Sequence, residues 1–179
     1  MRVVAVLFLV IVALGAPAAA QSPASAQRDE MKKLDWWVGT WEGDAWFMTP
    51  AGKRETCTVT ETVQSKLGGL AFWIEGVGKV KDGSGAERLV HHAVATLSYD
   101  DREKRYRFVS HTMEGRFGEA ELKPIEGGWV WGRQDAQGRG FRYTVRLTDD
   151  GRWHEKGEHT PDGKTWTQFH EMTLRRVGD

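Results

Sequence analysis

Thr56-Cys57-Thr58-Val59-Thr60-Glu61-Thr62-Val63 changes character at every step, with threonine on the even positions and Cys57, Val59, Glu61 and Val63 on the odd ones. In an extended chain successive side chains leave on opposite faces, so this pattern predicts a strand with one face inward and one in water. Phe141-Arg142-Tyr143-Thr144-Val145-Arg146-Leu147 repeats it. Turn signals flank and separate such runs: Pro50-Ala51-Gly52, Gly68-Gly69, Asp82-Gly83, Gly127-Gly128, Asp150-Gly151 and Asp162-Gly163. Their spacing of roughly 8 to 14 residues predicts a β-meander, about ten strands between Gly39 and Val177, with no connection long enough to hold a crossover helix. Parallel α/β folds are excluded on that ground. An open sheet of this size would leave edges and a large apolar face exposed, which closure into a barrel or folding into a sandwich removes.

Upstream of the strands the chain opens with Met1-Arg2, an apolar run from Val3 to Leu14, and Ala18-Ala19-Ala20 before Gln21. A short apolar stretch behind a positive charge and ahead of small residues is the pattern of a signal peptide, assigned to residues 1–20, with Ala24-Ser25-Ala26 as a second cleavage site. Export to the periplasm or the outside follows as an expectation. Residues 21–27 read as a disordered lead-in, and residues 28–179 as one barrel domain. Met31, Leu34, Trp37 and Val38 stand at helical spacing, which predicts a short amphipathic helix from Arg28 to Val38. No second apolar segment of spanning length occurs, so no membrane span is expected in the mature chain. Of the 25 Lys and Arg one, Arg2, lies in the leader, leaving 24 against 25 Asp and Glu. That balance, without a basic run, argues against nucleic acid as a partner. Cys57 is the one cysteine, so an exported fold must be held by packing rather than an internal disulfide, with Cys57 as a small core filler.

Val38-Gly39-Thr40-Trp41-Glu42-Gly43, at the start of the first strand, resembles the Gly-x-Trp signature of the calycins, the group of lipocalins and fatty-acid-binding proteins. The resemblance implies an antiparallel lipocalin-like barrel in which Trp41, following Gly39, closes one end and an arginine of the final strand lies across it. Arg176, on one face with Met172 and Leu174, is the candidate. More closely, Leu97-Ser98-Tyr99-Asp100 with Tyr106-Arg107-Phe108, Asp162-Gly163-Lys164-Thr165-Trp166 and Glu171-Met172-Thr173-Leu174-Arg175-Arg176 are similar to an uncharacterised bacterial family of exported lipocalin-like domains of unknown function. The run Gly39 to Phe47 with Pro50 is also distantly similar to nitrobindin, a barrel that binds haem through a last-strand histidine. That pattern has glycine where Ala45 and Phe47 stand, and His170 is one position out of step with its histidine run.

Nine tryptophans require space in a core or a ligand wall. Trp37 and Trp41 are assigned to the closed end, whereas Trp129, Trp131, Trp153 and Trp166, from late strands, are assigned to a cavity. His91 and His92 point to opposite faces, and His154 and His159 differ in parity, so no metal site is expected. Glu61, Glu155 and Glu171 lie within strands and would act as acid and base only if they faced inward. No Gly-x-Ser-x-Gly elbow or phosphate loop occurs. Together these features point to an exported protein that binds a small apolar molecule in its barrel, with Trp129, Trp131, Tyr143 and Trp166 as walls and His170 as polar anchor. The alternatives are an isomerase- or cyclase-like enzyme using cavity carboxylates, a haem protein, and a barrel packed solid by its own side chains. No catalytic residue and no cofactor is assigned.

Overall fold

The computed structural model describes residues 23–178; residues 1–20, read from sequence as a signal peptide, and the first expected cleavage site lie outside them. Ten antiparallel strands close into a barrel in which each strand pairs with its neighbours in sequence and the last returns to the first. They are β1 (Gly39–Met48), β2 (Arg54–Lys66), β3 (Ala71–Lys81), β4 (Glu87–Asp100), β5 (Arg105–Thr112), β6 (Phe117–Ile125), β7 (Gly128–Gln134), β8 (Gly140–Leu147), β9 (Trp153–Thr160) and β10 (Thr167–Gly178). Closure leaves no unpaired edge, which resolves the choice between barrel and sandwich. The Asp100 to Arg105 charge run forms a hairpin tip between β4 and β5.

The helical lead differs from the expectation. Helix α1 spans Pro23–Lys32 and is followed by a separate 3-10 helix, Asp35–Trp37. Residues 23–27 are therefore helical, starting at a proline, whose missing N–H has no intrahelical partner to lose at a first position. The α-helix ends early because Met31, Leu34 and Trp37 recur every three residues, and all three are buried. A three-residue repeat keeps to one face when the chain tightens to three residues per turn, and Leu34 N–H to Met31 and Trp37 N–H to Leu34 carbonyl bonds, each 2.9 Å, supply that tightening. The segment plugs one barrel end. Arg28 Nε donates to the Gly68 carbonyl at 2.9 Å, and the Tyr106 hydroxyl donates to Glu30 at 2.8 Å.

Register fixes which residues face inward. At the plugged end Trp41, Val63, Phe72, Leu97, Leu122, Val145, Trp153 and Leu174 are at most 2% exposed and form the packed core with Trp37. The seam between first and last strands is tight here. Arg176 lies 4.2 Å above the Trp41 ring and donates to the carbonyls of Val38 and Trp36, while Trp41 Nε1 donates to the Trp37 carbonyl at 2.9 Å. At Gly43, opposite Leu174, the neighbouring backbone leaves no room for a side chain: a Cβ there would sit 2.2 Å from the Thr173 carbonyl oxygen and 3.0 Å from the Leu174 Cα. Gly43→Ala is expected to lower stability by about 1–3 kcal/mol in urea unfolding, because backbone must part to admit the methyl. A loss under about 0.5 kcal/mol would show that the seam yields freely.

Candidate functional site

The opposite end is ringed by the turns after β1, β3, β5, β7 and β9, and no helix among the described residues covers it. Here the inner wall is asymmetric. On one side three rings form a continuous stack: Phe108 lies 4.6 Å from Trp131, and Trp131 lies 4.3 Å from Tyr143 with only 10° between their planes. Phe141, Phe169 and His170 meet Tyr143 edge-on at 6.0, 5.5 and 5.9 Å. Small residues make this possible. Ala120, paired with Phe108, leaves room for Phe108 and Trp131 to touch across β6. At Gly157 a Cβ would press to 2.8 Å from the Tyr143 ring and 3.1 Å from the His170 Cβ.

On the facing wall the inward positions of β1 to β4 at mid-depth are Ala45, Cys57, Gly76, Gly78 and Ala93, with His91 beside them and Phe47, Val80 and Val90 partly buried. At mid-depth large rings therefore face side chains of a few atoms, with Phe47 reaching in from β1. In keeping with that, Trp131, Phe141, Tyr143 and His170 point inward yet stay partly accessible, in contrast to the sealed core below. The barrel is thus sealed in one half and partly accessible in the other.

Where the halves meet stand two carboxyls. Glu61 shares its face of β2 with Val59 and Val63, and its carboxyl lies over Gly76, where a Cβ would come within 2.4 Å of Oε1. Glu155, on the inner face of β9 between Trp153 and Gly157, is 7% exposed. Neither makes an ion pair among the described residues. Desolvation pushes both up to about 8, and the Glu61 charge adds to the rise at Glu155. At neutral pH both hold protons. His170 moves the other way, down to about 4, because burial and the nearby His91 disfavour its charge, so it stands in the chamber as a neutral imidazole.

The residues assigned from sequence separate into groups. Trp131, Tyr143 and His170 come together on the chamber wall. Trp129 faces inward but toward the plugged end, edge-on to Tyr106 at 5.2 Å. Trp166 lies outside, in the β9–β10 connection under the Arg142 guanidinium at 4.0 Å, and Arg142 binds Glu158 on the outer wall. Trp153 belongs to the closed end, edge-on to Trp37 at 5.1 Å and Trp41 at 6.0 Å. Glu171 faces out, where it accepts from Trp46 Nε1 and meets His154, both at 3.0 Å. His91 and His170 are the histidines that share the chamber, and no group of three metal-ligating side chains occurs among the described residues. Phe108, Phe141 and Phe169 were missed: strand parity could have supplied the first two, but not Phe169, which sits at a register shift in β10. A hollow in the outer wall, lined by Glu42, Asp44, Thr58, Thr60, Lys79 and Arg175, gathers charged and hydroxyl groups without an aromatic wall.

Among solved structures the chain is similar to Rv2717c from M. tuberculosis, with a TM-score of 0.58 and 10% identity over 82% of this chain and 96% of that one. At that identity the likeness shows a shared barrel fold and nothing of activity. No protein-family model and no curated protein matches the chain. No helix among the described residues is long and apolar enough to cross a membrane.

Proposed function

We propose that this protein is exported and binds a small, mainly apolar molecule, with a flat or ring-bearing body, in the partly accessible half of its barrel. One observation carries the binding reading: the inward rings of Trp131 and Tyr143, stacked with Phe108, stay partly accessible and face small side chains at Ala45, Gly76, Gly78 and Ala93 across the barrel. Flat aromatic surfaces with few polar groups are what such ligands require. His170 and the carboxyls of Glu61 and Glu155 supply the polar contacts. Export is supported by the apolar leader and its small-residue end.

Tryptophan fluorescence titrated with retinol, menadione, palmitate, 2-phenylethanol and haemin tests the binding. Quenching or a spectral shift by one or more is expected, with Trp131→Ala weakening the affinity about tenfold or more through the lost stacking of ~1.5 kcal/mol. Trp166→Ala, on the outer wall, should leave affinity unchanged. No response to any compound would remove the proposal. Haemin is in the panel because His170 offers an inward, uncharged imidazole, the state an axial ligand needs; a Soret band lost in His170→Ala would assign haem as the ligand.

A further inference from the structure

We propose that the chamber selects ligands carrying a basic amine, the apolar body lying on the aromatic wall and the ammonium group held between Glu61 and Glu155. This rests on the ligand-binding reading above and names the class of ligand it takes.

Glu155 is more than nine-tenths buried, aimed into the barrel, and has no cationic partner among the described residues. Buried carboxylates are ordinarily paired, because an isolated charge away from water is costly. Two of them, facing inward from β2 and β9 and close enough for the charge of Glu61 to act on Glu155, leave a place for one positive charge. The Glu155 carboxyl lies beside the buried indole Nε1–H of Trp153, two residues before it, a donor that favours the ionised form of the carboxyl once a cation is there to offset its charge.

The sign of the charge follows from the rest of the lining. Among the described residues, cationic side chains near the chamber stand at the rims, where Arg88 is already bonded to Glu55 at 3.1 Å and Arg133 is exposed. Arg176 is outside Trp41 at the far end. A ligand carboxylate would therefore meet two acids and no cation. An ammonium would meet two acceptors and the negative faces of the rings.

Binding exchanges charge for charge. A protonated amine enters, and a carboxylic acid gives its proton to solvent to become the carboxylate of the ion pair. Few other groups facing the pair titrate in the working range. β1, β3 and β6 present none inward. His91 and His170 are shifted down by burial, and Cys57, Tyr106 and Tyr143 are shifted up by it. Glu55, Arg133 and His159 stand at the mouth. Between about pH 6.5 and 9 the glutamates govern the response.

Calorimetric titration of the full chain with 2-phenylethylamine, 2-phenylethanol and 3-phenylpropanoate separates the outcomes. At pH 8 the amine should bind roughly ten- to hundredfold more tightly than the alcohol, and the acid should not bind. The preference should shrink at pH 6, while the alcohol's affinity stays constant. Glu61→Gln with Glu155→Gln should abolish the preference of amine over alcohol. Should that double variant fail to fold, the single variants and the native pH series decide. Equal affinity for amine and alcohol, tighter binding of the acid, or a preference that survives both substitutions overturns the amine assignment while the chamber stands. Binding of none of the three overturns both.

Discussion

Trp41→Ala is expected to lower the unfolding free energy by about 4 kcal/mol, within the range for removing a fully buried tryptophan. Trp41 is 0% exposed and sits where three elements converge. Its ring takes edge contacts from Trp153 at 6.0 Å and Trp36 at 6.5 Å, and its Nε1–H satisfies the Trp37 carbonyl. Truncation leaves a cavity that rigid neighbours cannot fill, orphans that carbonyl, and takes away the surface on which Arg176 rests. Arg176→Ala should cost less, about 1–3 kcal/mol, because Trp41 stays packed while the stacking and the bonds to Val38 and Trp36 are lost. Arg176→Lys should cost less than Arg176→Ala without restoring native stability, since an ammonium cannot reproduce a planar fork that stacks and donates twice. Urea unfolding followed by near-ultraviolet circular dichroism of the tryptophan cluster reads all three. A loss below about 1 kcal/mol for Trp41→Ala would show that the seam does not depend on this contact.

The architecture was legible because the two signals that define a meander, alternation and regularly placed turns, are local. Residues 56–63 show their inner face outright, and with it Glu61, the one charged residue among Cys57, Val59 and Val63. Glu155 is harder to place. Trp153-His154-Glu155-Lys156-Gly157-Glu158-His159 carries a charged or polar group on both faces, so only pairing with Val145 and Met172 reveals the orientation. Late tryptophans mislead for a related reason. Trp129, Trp131 and Trp153 all face inward, but the depth that separates chamber from plug depends on strand stagger around the closed barrel, which no single strand encodes. Trp166 lies outside any strand, so parity says nothing of it. Nor can a periodic reading cross the register shift at Phe169.

The buried glutamates should also reverse the usual trend of stability with pH. A carboxyl held near 8 in the folded chain and near 4.3 in the unfolded one keeps, across that interval, a proton that the unfolded state has released. The folded state then binds more protons, so stability declines as pH rises from about 4.5 and levels off beyond 8. His170 works against this on the acid side. Its pKa is depressed to about 4, so between pH 4 and 6.5 the unfolded state binds the extra proton and stability gains with rising pH. Below about pH 6.5 the two trends offset one another; above it the glutamates act alone. Between pH 6.5 and 8.5 the unfolding free energy is expected to fall by roughly 2–4 kcal/mol. Glu61→Gln and Glu155→Gln, each an uncharged isostere of the protonated acid, should flatten that decline and raise stability at pH 8.5, with little change at pH 4.5. A stability profile level across pH 6.5–8.5 in the native chain would mean that water or a rearranged neighbour already stabilises the ionised pair. The same measurement repeated with 2-phenylethylamine connects stability to ligand: a cation between the carboxylates stabilises their ionised form, so it should restore most of what the rise in pH removes.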